Sequence, residues 1–398
     1  MPLNPLIGFI VAYVVLLALA VRGFKVYIVI AGMIAAYALA SSTPGQAFSA
    51  LIRMGEWNDV RVFVYIFFSM LLAGLMRETG LLDLMVESLS SSSCRLALTG
   101  VPALIGLMPM PGGALVSAIA LRRKYLEEAR LSPEDSTYLN YWFRHLWVPS
   151  WPLFQSVVIT ASVLYISPLS VVSHTWPGTI AAIVGGAIVS YPILRSVSCG
   201  GGGGGLGVFL ASISPLLALV VLFFAGVPML YSLILVNIVF LAVWRPSLES
   251  IMGALRLATR PTIHLVLFES LYFKNLLLET GIGPVMKQWA SSAGVNPYLL
   301  AFTIPFVLGL AAGGENFFAS TAMPALVSYL TAGGSLNWEM LAIAYLGGYL
   351  GVMGSPVHLC LALTLDYFKA RTGPVLGKVY ATIAVSILTG VLLILALW

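Results

Sequence analysis

The chain has 398 residues, of which 60% are hydrophobic and only 9% charged, with a mean hydropathy of +0.98 and a formal charge of +5. A soluble domain carries about 25% charged residues, so these side chains cannot cover a folded surface with polar groups, and the surrounding solvent must be largely lipid. The small basic excess is scattered beside apolar runs and forms no stripe, which excludes a nucleic-acid surface.

Apolar runs of about 17–25 residues mark membrane helices. In chain order they fall near 5–21, 26–41, 61–78, 140–166 and 176–194, and again near 206–225, 229–244, 262–278, 338–366 and 377–397. The N-terminal run has no basic flank and no small-residue cleavage site, so it is expected to be retained as the first span. Two further apolar stretches, 98–121 and 297–330, are interrupted by MPMPGG and AAGGEN. A broken backbone at membrane depth must be buried in protein or line a cavity, so these stretches suit re-entrant hairpins. The expected fold class is therefore an all-α polytopic membrane protein with about ten transmembrane helices and two re-entrant hairpins.

Basic residues set the direction. With the N-terminus outside, all of the 20 Lys and Arg except Arg53, Arg61, Lys274 and Lys287 fall on the inner side or at an inner helix end. Both termini are then expected outside a plasma membrane. The polar segment 122–138 is expected to be an inner amphipathic connector. Cys94, Cys199 and Cys360 are far apart and form no CxxC pair, so they are expected to be small apolar fillers without a disulfide framework or zinc site.

The chain also repeats itself. FFSMLLAGLMRETGLLDLM (67–85) and FESLYFKNLLLETGIGPVM (268–286) match at seven of 19 positions, including Glu78-Thr79-Gly80 with Glu279-Thr280-Gly281. Pro102, Gly106 and Leu107 match Pro305, Gly309 and Leu310, and Tyr141, Leu146, Val148, Pro152 and Thr160 match Tyr345, Leu350, Val352, Pro356 and Thr364. The offsets are 201, 203 and 204 residues. The first repeat (1–198) holds three helices, the hairpin 98–121, the broken helix 140–166 and the helix 176–194. A glycine-rich linker (199–205) follows. The second repeat (206–398) holds three helices, the hairpin 297–330, the broken helix 338–366 and the helix 377–397. Five crossings per repeat invert the second one, and inverted repeats with broken helices are a signature of secondary transporters. The glycine run lacks the GKS/T ending of a phosphate loop.

This order of helices, hairpin and broken helix resembles the ion-transporter superfamily, which includes the divalent-anion/sodium symporters, citrate carriers and gluconate permeases. LMPMPGGALVSA (107–118), NYWFRHLW (140–147) and GVMGSPVHLCL (351–361) resemble more closely an uncharacterised prokaryotic membrane family within it. The resemblance implies a homodimer, an elevator-like transport domain, and substrate and cations bound at hairpin tips and helix breaks. The chain departs from the dicarboxylate symporters at the first tip, where their Ser-Asn-Thr motif is absent.

Candidate binding residues follow from the breaks. At the first tip, Pro111, Gly112 and Gly113 end one helix and start another whose free N–H groups suit an anion, with Ser117 one turn on; the alternative is a tight structural turn. At the second tip, Gly313, Gly314, Glu315 and Asn316, with Ser320 and Thr321 beyond, place a carboxylate where a charge costs at least about 2.5–3.5 kcal/mol, so a cation or proton is expected beside Glu315. The broken helices offer Pro149 and Ser150, and Gly354, Ser355 and Pro356. Their freed carbonyls and hydroxyls could hold Na⁺, or the prolines could be simple kinks. Arg144 could pair a substrate carboxylate or phosphate, or snorkel to the inner interface. His145 and His358 flank the breaks as possible coupling groups. Glu269 replaces Phe68 of the first repeat and could also couple; Lys274, five residues on, is poorly placed to pair with it. The expected function is cation-coupled transport of a small anionic solute by alternating access, with Na⁺ or H⁺ as coupling ion and no other metal or cofactor. The alternatives are a channel, or an intramembrane enzyme, for which no HExxH, Asp-rich or GxSxG motif is present.

Overall fold

The computed structural model describes residues 3–90, 93–108, 112–197, 205–331 and 334–398, and all regular structure among them is helical. The order is α1 (Pro5–Val21), α2 (Val26–Ser41), α3 (Pro44–Arg53), α4 (Trp57–Glu78), α5 (Leu81–Ser90), α6 (Cys94–Gly106), α7 (Gly113–Arg123), α8 (Pro133–Arg144), α9 (Gln155–Leu164), α10 (Pro168–Thr175) and α11 (Pro177–Arg195). It continues with α12 (Leu206–Phe224), α13 (Met229–Trp244), α14 (Leu248–Ala258), α15 (Pro261–Glu279), α16 (Ile282–Ser292), α17 (Pro297–Ala312), α18 (Glu315–Leu330), α19 (Trp338–Gly354), α20 (Leu359–Phe368) and α21 (Thr372–Leu397). Local chemistry starts many of these. Asn4, Thr43, Ser132, Ser167 and Asn296 cap helices whose first turn carries proline, a pairing that satisfies a free N–H and pre-sets φ.

Every expected span falls on helix, with three differences. Four short helices, α3, α5, α14 and α16, were not expected. Each has 10 or 11 residues, shorter than a membrane-length window detects. The first broken helix is more elaborate than one kink: α9 and α10 bend by 111° at Tyr165–Ser167, with Tyr165 in the left-handed region. Finally, five helices are long and apolar enough to cross a bilayer among the described residues, or six if the bent pair counts as one. The expected spans at 5–21, 26–41 and 229–244 fall on helices of 17, 16 and 16 residues. At 1.5 Å per residue these reach about 24–26 Å, against about 30 Å of hydrocarbon.

The glycines that end α4 and α15 adopt positive φ, +75° at Gly80 and +69° at Gly281, as C-terminal glycines do. Cys94 is disulfide-bonded, which corrects the expectation that the cysteines are fillers. Most of the linker, 199–204, lies outside the described residues. Near the start of the expected broken span, Glu134 and Asp135 pair with Arg371 (2.8 Å) and Lys378 (2.6 Å), and the Arg371 guanidinium holds the Glu134 carboxyl below its usual range.

The core lies on α19, whose residues Met340 to Gly354 are all buried. Gly309, Gly347 and Gly351 let α17 approach it. A Cβ at Gly347 would lie 2.3 Å from Phe302 O, and one at Gly351 would lie 2.1 Å from Phe306 O. Small residues at such seams replace the hydrophobic drive that lipid cannot supply. Large apolar side chains such as Leu39, Val21 and Phe224 face outward, as a lipid-facing surface requires.

A buried ion pair joins three helices. Lys274 of α15 donates to Asp59 Oδ1 of α4, and both side chains are 2% exposed or less. Asn275 Nδ2 (2.7 Å) and Ser162 Oγ of α9 (2.8 Å) also donate to this carboxylate. The partner of Lys274 is thus a carboxylate 215 residues away in sequence, and not its local neighbour Glu269. Removing one partner of such a pair leaves an uncompensated charge. We predict that Lys274→Met lowers stability by about 3–5 kcal/mol, and that Asp59→Asn in the same chain recovers most of the loss. Thermal melting in detergent checks this. Equal melting of the single and double variants would mean that the pair is not what holds these helices together.

Candidate functional site

Prolines stop α8 at Arg144, and the chain runs irregularly to Gln155, where α9 starts. The carbonyls released by this break are taken by hydroxyl groups. Thr179 Oγ1 donates to Leu146 O (3.0 Å), Tyr345 OH to Val148 O (3.1 Å), and Thr175 Oγ1 to Pro149 O. Ser150 Oγ pairs with Thr179 Oγ1 at 2.7 Å. Pro149 and Ser150 therefore face α10 and α11, and the structure does not bring them to the cavity described below. The second break repeats the solution. Tyr141 OH donates to Met353 O and Tyr380 OH to Gly354 O, each at 3.0 Å. Gly354 packs against Ile383 and Tyr380, and Pro356 is exposed. Ser355 is fully buried, and its hydroxyl has no hydrogen-bond partner among the described residues.

The two tips differ in detail. Pro111, with Pro109 and Met110, lies outside the described residues. Gly112 takes φ +74° and α7 begins at the next residue. At the second tip Gly313 takes φ +66°. A Cβ there would lie 2.9 Å from both Ser355 Oγ and His358 N, so only glycine lets this tip seat against the second break. Glu315 is the first residue of α18. It is partly buried, and its Oε2 accepts from Ser156 Oγ at 3.1 Å. Ser156 in turn pairs with Tyr345 OH at 2.7 Å. Asn316 Nδ2 donates to Ser270 Oγ of α15 at 3.1 Å. Ser117, Ser320 and Thr321 bond back to carbonyls of their own helices, a common habit of helical hydroxyls, and none lines the cavity.

Both tips and both breaks meet at one cavity of about 170 Å³. Of the residues singled out from sequence, Gly112, Arg144, His145 and His358 line it, together with Gly313, Gly314, Glu315 and Asn316. Its walls also include the start of four helices: Gly112 before α7, Phe154 and Gln155 at α9, Gly314 and Glu315 at α18, and His358 and Leu359 at α20. At none of these four N-termini does the N-cap side chain take a first-turn N–H, although Cys360 bonds the main chain of Ala114 in α7. Each presents the positive end of its dipole to the cavity.

Arg144 does not snorkel. It is 3% exposed, and Nη2 donates to Met108 O at 3.0 Å. Gly113 makes room for it: a Cβ there would lie 2.6 Å from Nη2. Gly106 does the same for the main chain, where a Cβ would lie 2.2 Å from Arg144 O. Glu269 does not line the cavity. It is buried on α15 beside Ser270, and its Oε2 has no hydrogen-bond partner among the described residues.

Sequence reasoning missed Tyr349, Gln155, Ser156 and Cys360. Tyr349 lines the cavity with a buried hydroxyl that has no partner among the described residues, and nothing in its apolar surroundings marked it. Cys360 lines the cavity two residues after His358; its place at the start of a helix after a break was the available signal.

A family model described as "Protein of unknown function (DUF401)" matches residues 4–397. No curated protein matches the sequence. Among solved structures, the chain is similar to the Alcanivorax borkumensis YdaH transporter, whose crystal structure is described as revealing an unusual topology. The TM-score is 0.54 at 15% identity, covering 86% of this chain and 88% of that one. At that identity the likeness is one of fold.

The contact at Gly106 is testable. Gly106→Ala must push two backbones apart, and we predict a loss of about 1–3 kcal/mol. Gly207→Ala, at a helical site with nothing within 4 Å of the new methyl group, should leave the melting temperature unchanged or slightly raised. Equal melting of the two variants would contradict the close approach of α6 to α8.

Proposed function

The chain belongs to the family described as "Protein of unknown function (DUF401)", and on that footing we propose that it is a secondary active transporter for a small anionic solute, bound in the cavity between the two tips and the two breaks. The observation that carries this reading is the convergence of four uncapped helix N-termini and the buried Arg144 guanidinium on one cavity. Such N-termini stabilise negative charge, and a planar guanidinium can hold a carboxylate or phosphate through two hydrogen bonds. The similar fold of a transporter supports the same reading.

Glu315 is the proposed coupling group. It faces the anion cavity from the first turn of α18, where a bound Na⁺ or a proton would offset its charge. The freed carbonyls already carry hydroxyl donors, which shifts the proposed cation site away from Pro149 and Ser150 and toward Glu315, Asn316 and the Ser355 hydroxyl, which has no hydrogen-bond partner among the described residues. Glu269 is a second candidate. We read the chain as a carrier and not as an enzyme.

The helix order supports the inverted-repeat reading. Helices α1–α9 and α11 correspond in order and approximate length to α12–α20 and α21, with α10 inserted in the first half. Ten crossings, both termini outside, the plasma membrane, the ion-transporter superfamily, a homodimer and an elevator-like motion belong to the same proposal.

The test is ligand-induced stabilisation of the purified protein, followed by uptake into proteoliposomes, with a panel of organic anions at varied Na⁺ and pH. A ligand at about 100 times its Kd stabilises by about 2.7 kcal/mol. We expect one anion class to shift the melt only with Na⁺ or protons present, Glu315→Gln to lose the ion dependence, and Arg144→Gln to lose the anion shift. Absence of any shift in the wild type, or shifts unchanged in both variants, would sink this assignment.

A further inference from the structure

Three metal-ligating side chains meet on the cavity wall, and the anion reading uses none of them. His145 follows the last turn of α8, His358 precedes α20, and Cys360 is the second residue of α20. All three are buried, and their donor atoms lie within 4.8 Å of one another. Cys360 is a free thiol.

The hydrogen bonding leaves these groups poorly satisfied as they stand. His145 Nδ1 lies 2.7 Å from Tyr141 O, which can only accept. Nδ1 therefore carries the proton and Nε2 a lone pair. That lone pair faces His358 Nε2 at 3.3 Å, and the Cys360 thiol interacts with the same imidazole. Two groups thus converge on one acceptor. His358 Nδ1 is buried without a well-aligned hydrogen bond among the described residues, and the Gly313 main chain is the polar group that interacts with its ring. If Nε2 of His358 carries the proton, Nδ1 is a stranded acceptor. If Nδ1 carries it, two lone pairs meet face to face at 3.3 Å. The second arrangement is what a cation held between two imidazoles requires.

We propose that His145, His358 and Cys360 bind one soft d10 metal ion, copper(I) or zinc(II), independently of the anion reading. Bonds of about 2.0–2.3 Å set neighbouring ligand atoms about 3.3–3.8 Å apart in such sites. The two imidazoles already have that spacing, and Cys360 closes it by a small adjustment of its side chain. The Tyr141 carbonyl fixes the tautomer and orientation of His145, as hydrogen-bond partners of metal-bound imidazoles do. The start of α20 favours the thiolate. Charge distinguishes the two ions. Copper(I) with one thiolate is neutral, so it leaves the charge balance of a cavity lined by Arg144, Glu315 and four helix starts unchanged. Zinc(II) leaves one positive charge and an open position, so it calls for an anion as fourth ligand, which the same cavity is shaped to admit.

The experiment is anaerobic titration of the purified full-length protein with copper(I) against a chromophoric copper chelator, and separately with zinc(II) against a zinc chelator, with and without added phosphate. Metal binding is read without transport, so its failure and the failure of the anion reading are distinguishable. We expect one ion per chain in the wild type. Cys360→Ser and His358→Gln should weaken metal affinity by more than about 100-fold, beyond the roughly 10–100-fold that loss of an outer partner costs, while their metal-free melting temperatures stay near wild type. The near-isosteric Cys360→Ser keeps the test valid if the histidine variant folds poorly. Zinc bound only with phosphate supports the open position. No uptake of either ion, or uptake unchanged by Cys360→Ser, overturns the site.

Discussion

A helix cannot end inside a membrane protein without leaving backbone groups that lipid will not satisfy, and the whole centre of this molecule follows from how that constraint is met. Each break releases both acceptors and donors. The acceptors are taken by the protein's own hydroxyls: Thr175, Thr179 and Tyr345 at the first break, Tyr141 and Tyr380 at the second. The donors, at the start of α7, α9, α18 and α20, receive no side-chain cap and open onto one cavity. The break carbonyls are thus closed by hydroxyl groups, while at the four helix starts no N-cap side chain takes a first-turn N–H. In the proposed reading this asymmetry favours a negatively charged solute.

The two charged side chains on the cavity are held differently, and each manner suits its place. Arg144 is fixed from below by Met108 O and by the two glycines that let α6 and α7 approach it. A guanidinium beside a helix N-terminus adds positive charge to positive charge. Glu315 sits at the first turn of its own helix, where the dipole favours the carboxylate, and Ser156 and Tyr345 extend a hydrogen-bonded chain behind it. Tyr349 lines the same cavity, and its hydroxyl has no hydrogen-bond partner among the described residues.

How much of this was legible in the sequence depends on periodicity. The breaks were legible because Pro149, Pro152, Gly313 and Pro356 interrupt apolar runs: Pro149 and Pro152 lie in the irregular stretch between α8 and α9, Gly313 caps α17, and Pro356 lies between α19 and α20. Side-chain direction within a break was not legible. Between 145 and 154 no 3.6-residue repeat operates, so the choice between Ser150, which turns to Thr179, and Gln155, which lines the cavity, needs coordinates. Lys274 illustrates a second limit. Its local neighbour Glu269 suggested a poor pair, whereas its partner is Asp59, and no rule of local spacing connects positions so far apart. The short amphipathic helices α3, α5, α14 and α16 escaped because a search for membrane-length apolar runs is blind to a half-apolar segment of three turns.

The buried pair and the cavity are also connected to each other. Helix α15 carries Lys274 toward Asp59 and, one turn earlier, Ser270 toward Asn316 at the second tip. Helix α9 carries Ser162 to the same Asp59 and Ser156 to Glu315. Two helices therefore link one ion pair to both residues at the start of α18. Ser162 Oγ also lies 3.1 Å from Lys274 Nζ, so the hydroxyl of α9 touches both members of the pair. The ion pair, whose separation would strand charge in a dry interior, therefore anchors α4, α9 and α15 to one another. The single bonds from Ser156 to Glu315 and from Asn316 to Ser270, each worth about 0.5–3 kcal/mol, then tie the start of α18 to that anchor.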